Sequence, residues 1–219
     1  NSKVVIVGAK RTPIGSFQGQ FATVSCDELG AAAIRGALDQ AGVNPAAVDD
    51  VLMGCVLPAG IGQAPARIAS RKAGIPTSAG AVTINKACGS AMKTIQIGHD
   101  QILAGSSQIV VAGGMENMTL APYILPKARG GYRMGHGEVL DHMFWDGLQN
   151  PDDKLMMGVF GERCAEKYNF TRAQQDAFAT TSIERALAAM QGQFKDEITP
   201  VTVKTRQGET VISADQEPP

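Results

Sequence analysis

Apolar residues along this chain fall into short unbroken runs that alternate with longer stretches repeating every three to four positions. Residues 3–9 (KVVIVGA) are a continuous β-branched run that passes through Gly8 into the turn-rich Arg11-Thr12-Pro13-Ile14-Gly15. This predicts a buried strand leaving into a loop. Ser25 and Glu28 then form a capping-box pair, Leu29, Ala33, Ile34, Ala37, Leu38 and Ala41 supply one apolar face, and Gly42 provides the stop of a first helix. Asn44-Pro45 reads as an N-cap and first turn, followed by a strand over 50–54, a second helix around 64–73 and a short strand that stops at Asn85. The helix opening behind Cys88 carries Ala91, Met92, Ile95, Ile97, Ile102 and Leu103 around much of its surface, which predicts a central helix buried on several sides. Gly105 ends it, and residues 108–112 (QIVVA) return as a further buried strand.

Strand and helix alternate throughout this part, which predicts an α/β layer with parallel pairing. From Thr119 the texture changes, with Pro122, Pro126, Gly130, Gly131, Gly135 and Gly137 in a loop-rich stretch, so a boundary is expected there, dividing the chain into 1–118 and 119–219. Thr171 and Gln174 open a long helix to about Gln191, with Gly192 as its stop, and residues 200–213 read as a hairpin turning at Gln207-Gly208. The sequence closes on Glu217-Pro218-Pro219 just after a strand, which reads as an unfinished fold.

Hydrophobic residues make up 44% of the 219 positions and charged residues 19%, enough for a sizeable core. With 20 Lys+Arg against 21 Asp+Glu there is no basic excess to grip nucleic acid or anionic lipid, so neither is expected as a partner. The longest apolar runs are strand-sized, no signal-peptide pattern precedes Lys3, and no membrane association is expected. Cys26, Cys55, Cys88 and Cys164 share no CxxC spacing, so no zinc or other metal site and no disulfide framework is expected. A reducing compartment fits, cytoplasmic first and mitochondrial second.

Cys88 is the residue that changes this picture from architecture to chemistry. It stands between the strand that stops at Asn85 and the helix behind it, followed by Gly89 and Ser90, which leave room for a substrate carbonyl. Unpaired N–H groups of a first helical turn favour a thiolate, and this strand-to-helix exit exposes nucleophiles in other α/β enzymes. A helix terminus supplies only about 0.3–1 kcal/mol, so a second group must complete the activation. Cys26, Cys55 and Cys164 lack such an approach and read as small core hydrophobes. The histidines do not supply a base: His99 lies about three turns along the helix, and His136 and His142 belong to the loop-rich stretch as surface or structural residues.

Three motifs in order, Arg11-Thr12-Pro13-Ile14-Gly15-Ser16-Phe17, Asn85-Lys86-Ala87-Cys88-Gly89-Ser90-Ala91 and Gly113-Gly114-Met115-Glu116-Asn117-Met118 with Ala121-Pro122-Tyr123, together resemble the thiolases. The segment Phe194-Lys195-Asp196-Glu197-Ile198 extends the resemblance along essentially the whole chain, most closely toward the acetyl-CoA acetyltransferases. The resemblance implies a thiolase fold: an N-terminal βαβαβ core layer over 1–118 and an incomplete loop domain over 119–219, inserted to cover CoA, with the C-terminal core half lying outside this chain. It also implies that Cys88 takes an acyl group as a thioester and that a second acetyl-CoA attacks it, with CoA thioesters as substrates and no separate cofactor. Acetyl-CoA, acetoacetyl-CoA and CoA are the partners so implied, together with the C-terminal half and a homodimer or homotetramer in which the strand over 81–84 pairs across a two-fold axis. Leu148, Met156 and Met157 match positions against the pantetheine arm, although many relatives carry His-Met-Gly where this chain has Met156-Met157-Gly158. The family's activating His, second Cys and oxyanion Asn have no counterparts beyond residue 88, whereas the family's oxyanion contact from the nucleophile's own backbone N–H carries over to Cys88.

A dinucleotide-binding reading fits poorly, because Gly8-Ala9-Lys10-Arg11-Thr12-Pro13 is not GxGxxG and the proline breaks the helix that would hold a pyrophosphate. A decarboxylating ketoacyl synthase shares fold and nucleophile but not the Arg-Thr-Pro and Gly-Gly-Met-Glu motifs. The remaining alternatives are a long-chain 3-ketoacyl-CoA thiolase and a non-catalytic acyl-CoA-binding subunit.

Overall fold

A computed structural model describes residues 3–206 and 208–218. The chain builds α1 (Cys26–Ala41), β1 (Asp50–Gly54), α2 (Pro65–Lys72), β2 (Gly80–Ile84), α3 (Ser90–Ala104) and β3 (Val110–Gly114). After these come β4 (Tyr123–Ile124), β5 (Leu140–Asp141), α4 (Met157–Tyr168), α5 (Arg172–Met190), β6 (Val201–Thr205) and β7 (Gly208–Ile212). Local chemistry sets the bounds. Glu28 accepts from the Ser25 backbone N–H at 3.2 Å at the head of α1, and Gly42 closes it in the left-handed region at φ 63°. Thr171 and Gln174 cap α5 reciprocally, and Asn44 Oδ1 accepts from Ala46 N–H ahead of a short 3-10 turn at Pro45–Ala47.

The three-stranded sheet has the order β2-β1-β3, all parallel and in matched register, so Asp50 lies between Gly80 and Val110 and Gly54 between Ile84 and Gly114. α2 and α3 are therefore the crossovers of a βαβαβ layer. Alternation along β1 assigns the faces: Val51, Met53 and Cys55 join a core with Cys26, Ile34 and Leu38 of α1 and Ala66 and Ala69 of α2. The opposite face is covered by α3, which approaches so closely that a Cβ on Gly54 would lie 2.7 Å from Ser90 Cβ. Lys72 of α2 reaches the buried Asp27 of α1 at 2.5 Å and ties these two helices together.

Three expectations are corrected here. Residues 3–9 are extended but form no strand, and Val5, Ile6 and Val7 stand 69, 78 and 62% exposed. α3 is not buried on several sides, for only Ser90, Thr94 and Gly98 are buried, while Met92, Ile95 and Leu103 face outward. The cause is shared: β3, like β2 on the other side, is an open edge of the sheet, and among the described residues no layer lies beyond α3 to cover it. For the same reason β3 is only partly buried rather than a core strand.

The hairpin over 200–213 forms as β6 and β7, with Gln207 outside the described residues. It packs back on the first part of the chain: Val201 and Val203 bury against Phe21, Val24, Leu29 and Ala32. Arg11 anchors the return. Its guanidinium donates to both carboxylate oxygens of Asp215 at 2.7 and 2.8 Å and to Glu197 at 2.6 Å, and its backbone bonds to Glu197 and Thr199. No helix among the described residues is long and apolar enough to cross a membrane.

Candidate active site

The C-terminal ends of three parallel strands meet at one edge of the layer, the place where open α/β sheets present ligands. β1 leads into Cys55, Val56 and Leu57, β2 into Asn85–Cys88 and β3 into Met115, Glu116 and Asn117. Backbone bonds knit the ends together: Cys55 N–H donates to Ile84 O at 3.0 Å and Met115 N–H to Gly54 O at 2.9 Å.

Cys88 is exposed at the head of α3, whose N-cap is Gly89. Ala87, just before it, is held in the left-handed region at φ 46°, a conformation costing roughly 1–2 kcal/mol for a residue with a Cβ. Both of its backbone groups are bound. The Ala87 N–H donates to Asn85 Oδ1 at 2.9 Å, and its carbonyl accepts from the buried Ser90 hydroxyl at 2.6 Å and from Ser90 N–H at 3.1 Å. Ser90 Oγ also accepts from Lys86 N–H at 2.8 Å, so one small side chain staples the exit on both sides. Such over-determined strain is characteristic of functional turns. No hydrogen bond among the described residues occupies the Cys88 N–H, which leaves a donor free beside the thiol.

The sequence expectation for Cys88 thus meets an exposed thiol, a sharp exit and a helix start. Cys26 and Cys55 are buried as small core residues, whereas Cys164 is exposed, contrary to the expectation for it. The Cys26 thiol is pushed up, first by its hydrogen bond with the Cys55 thiol and then by burial. His99 is a surface residue beside Asp100, and His142 is buried: its Nδ1 lies 2.6 Å from Asp146 and its Nε2 accepts from Ala59 N–H at 3.4 Å, a structural tie.

Leu148 ends a π-helical turn over Met143–Leu148 and is half-buried. Met156 is half-buried at the N-cap of α4 and pairs through its backbone with Gln149. Met157 is exposed. The same turn rests on the β1 exit, where a Cβ on Gly147 would lie 3.3 Å from Leu57. Lys154 stands 4.2 Å over the Trp145 ring and Arg163 5.3 Å over that of Phe160. Among the described residues no group of three or more His, Cys, Asp and Glu is arranged to hold a metal ion.

Sequence reading missed the residues that hold the site. Glu116 accepts from Val56 N–H at 2.8 Å, Leu57 N–H at 3.1 Å and Cys55 Sγ at 3.6 Å. Asn117 Nδ2 donates to Phe21 O and Val24 O at 2.9 and 2.7 Å, fixing the approach to α1. The only signal for either was its place in the Gly-Gly-Met-Glu-Asn run.

Comparison with known proteins agrees with this geometry. The family model described as "Thiolase, N-terminal domain" matches residues 4–219. Acetyl-CoA acetyltransferase of Pseudomonas aeruginosa is 49% identical over 217 residues, covering 98% of this chain and 55% of the relative, and that of Cupriavidus necator is 47% identical over 209 residues, covering 95 and 53%. A probable acetyl-CoA acyltransferase of Staphylococcus aureus is 43% identical over 212 residues, covering 96 and 54%. The solved acetyl-CoA acetyltransferase of Syntrophomonas wolfei superposes with a TM-score of 0.93 at 39% identity, over 98% of this chain and 54% of that one. The chain spans about half the length of the curated relatives it matches. With the strand-end cysteine in place and the family model covering nearly every residue, the chain belongs to the thiolase family, of which it carries the N-terminal domain.

Proposed function

We propose that the complete protein is an acetyl-CoA acetyltransferase that runs a reversible Claisen condensation through an acyl-Cys88 intermediate. The observation that carries the reading is the exposed Cys88 on its strained exit, with a free backbone N–H beside it. In the condensing direction the activating His that the resemblance puts in the C-terminal half takes the Cys88 proton, the thiolate attacks the thioester carbonyl of acetyl-CoA, and the departing CoA thiolate takes that proton back from the His. The second Cys of that half takes an α-proton from a second acetyl-CoA, the carbanion attacks the acyl-cysteine, and the C–S bond to Cys88 breaks to release acetoacetyl-CoA and the Cys88 thiolate, which is reprotonated from the second Cys through the His. The Cys88 N–H stabilises the oxyanion of the acylation step, a role in which a single donor is worth about 10²–10³ in rate. The resemblance puts the activating His, the second Cys and the oxyanion Asn in a C-terminal half, so residues 1–219 alone are expected to show no turnover.

The rest of the reading follows the same support. Residues 119–219 are the start of a loop domain that covers CoA, with Leu148, Met156 and Met157 against the pantetheine arm, and CoA thioesters are substrates with no separate cofactor. β2 is an edge strand with Val82 exposed, which supports pairing across a two-fold axis in a homodimer or homotetramer. The protein works in a reducing compartment, the cytoplasm first. Incubating the complete protein with labelled acetyl-CoA and mapping the adduct tests the reading. Label on Cys88 is expected; label on another cysteine with Cys88 unmodified would overturn it. The ratio of kcat/KM for acetoacetyl- to 3-ketodecanoyl-CoA separates the acetyltransferase from the long-chain alternative.

A further inference from the structure

The Cys88 exit is held in its strained form by a side chain that is itself held from elsewhere. Asn85 lies on the surface at the end of β2, and its amide faces two ways. Oδ1 accepts from Ala87 N–H at 2.9 Å, while Nδ2 donates to Val56 O at 3.4 Å. Val56 belongs to the β1 exit, and that exit is fixed by Glu116 at the end of β3, through bonds from Val56 N–H and Leu57 N–H to its two carboxylate oxygens and a third from the Cys55 thiol. The half-buried Glu116 forms no ion pair with any described residue. Its carboxylate is spent on peptide donors and a thiol, the geometry of a charged brace for a turn.

We propose that Glu116 and Asn85 are positioning residues for Cys88, acting as one connector: Glu116 fixes the β1 exit, the exit orients Asn85, and Asn85 holds Ala87 at positive φ so that the Cys88 thiol faces the carbon, and the Cys88 N–H the oxygen, of one acyl carbonyl. Neither side chain touches the substrate. Without the connector Ala87 relaxes out of the left-handed region, and the nucleophile and its oxyanion donor lose their common aim. A misplacement of about 1 Å at a reacting atom costs on the order of 10²-fold in rate.

This inference rests on the acyl-cysteine reading above, and its test separates the two. In the complete protein, Glu116→Gln leaves an amide N–H₂ facing a backbone donor, Asn85→Ala frees the Ala87 N–H, and Asn85→Asp keeps the acceptor for Ala87 while removing the donor to Val56. For Glu116→Gln and Asn85→Ala, kcat is expected to fall about 10- to 100-fold while KM for acetoacetyl-CoA stays within about twofold. Asn85→Asp is expected to fall with Glu116→Gln, and the double variant to be no slower than the worse single one, the non-additivity of residues acting as a unit. The rate of Cys88 alkylation by iodoacetamide, followed by peptide mapping, is expected to drop alongside kcat, with thermal midpoints recorded so that rates are compared at equal folded fraction. Alkylation and turnover within twofold of wild type in Glu116→Gln and Asn85→Ala would overturn the connector. So would a change confined to KM, a loss that only tracks unfolding, or additive losses in the double variant. Failure of acetyl-CoA to label wild-type Cys88 would instead sink the acyl-cysteine reading, and the alkylation ratios would still report on the connector.

Discussion

Cys55 leaves the central strand β1 with 1% of its surface exposed, whereas Cys88, beyond the end of the neighbouring edge strand β2, stands in the open at the head of α3. The residue type is the same and the strands are parallel and in register. What differs is the connection that follows. β1 turns under Glu116 and the π-helical turn, so its cysteine points into the core shared by α1 and α2. β2 is stopped at Asn85, reversed through the left-handed Ala87 and stapled by Ser90, so its cysteine is lifted out of the layer. Chemistry at a strand end is decided by the turn that follows it.

The sharpest way to break this comparison is to remove each thiol in turn from the complete protein. Cys88→Ala is expected to lower acetyl transfer by about 10⁴-fold or more, as loss of a nucleophile does, with stability within about 0.5 kcal/mol of wild type because the side chain is exposed. Cys55→Ala is expected to do the reverse, costing stability through lost packing while retaining acyl-enzyme formation. A steady-state assay beside a denaturation curve reads both, and turnover surviving in Cys88→Ala would end the comparison.

The same contrast extends from strand ends to whole faces of the layer. Leu52 on β1 is sealed between β2, β3 and α3, so Leu52→Ala is expected to cost about 2–5 kcal/mol. Val5, with most of its surface in water, is expected to tolerate Val5→Ala within about 0.5 kcal/mol when the 219-residue chain is measured alone. Urea midpoints at constant slope test this pair. A large loss at Val5 would mean that residues 3–9 are already covered in that chain.

Helices with a local stop signal are legible in the sequence itself: the Ser25–Glu28 and Thr171–Gln174 pairs and Gly42 act within a few residues of the ends they set. The candidate nucleophile is legible because strand, exit and helix start are contiguous around Cys88. Burial is not, because the β-branched run at 3–9 and the apolar girdle of α3 state a demand for cover without saying where the cover comes from. Nor are Glu116, Asn85 and Asp215 legible as structural residues. Their partners lie 60, 29 and 204 positions away, and side-chain bonds across such separations leave no periodicity to read.

Ser90 gives a smaller and more local test of the lifted cysteine. Ser90→Ala removes the acceptor for Lys86 N–H and the donor to Ala87 O, and the expected loss is about 1–3 kcal/mol for the groups left unpaired. The loss should appear in both stability and Cys88 alkylation, since the staple closes the exit that presents the thiol. A fall in stability with unaltered alkylation would assign Ser90 to helix packing alone.

The smallest expected effect is a change in the slope of stability with pH, at the clamp that carries the open 3–9 run into the fold. The Asp215 carboxylate is 2% exposed, and the Arg11 guanidinium holds it below the usual carboxylate range, against the opposing effect of burial and with help from Ile14 N–H. A depressed native pKa means that the contribution is fully present above the unfolded value of about 3.9 and is lost as pH falls through the lower native value. Arg11 itself is raised by the same partner and stays charged across the range, so it adds no slope. At the other end Lys72 is raised by Asp27, so its contribution is present below its ordinary value and is lost as pH climbs through the raised one. Urea midpoints of wild type and Asp215→Asn from pH 2 to pH 6 are expected to converge as the acid limit is approached, the variant showing the shallower fall. A gap that stays constant down to the acid limit would mean that Asp215 acts through its shape and hydrogen bonds alone, and that the charge on the clamp does nothing to hold the open segment in place.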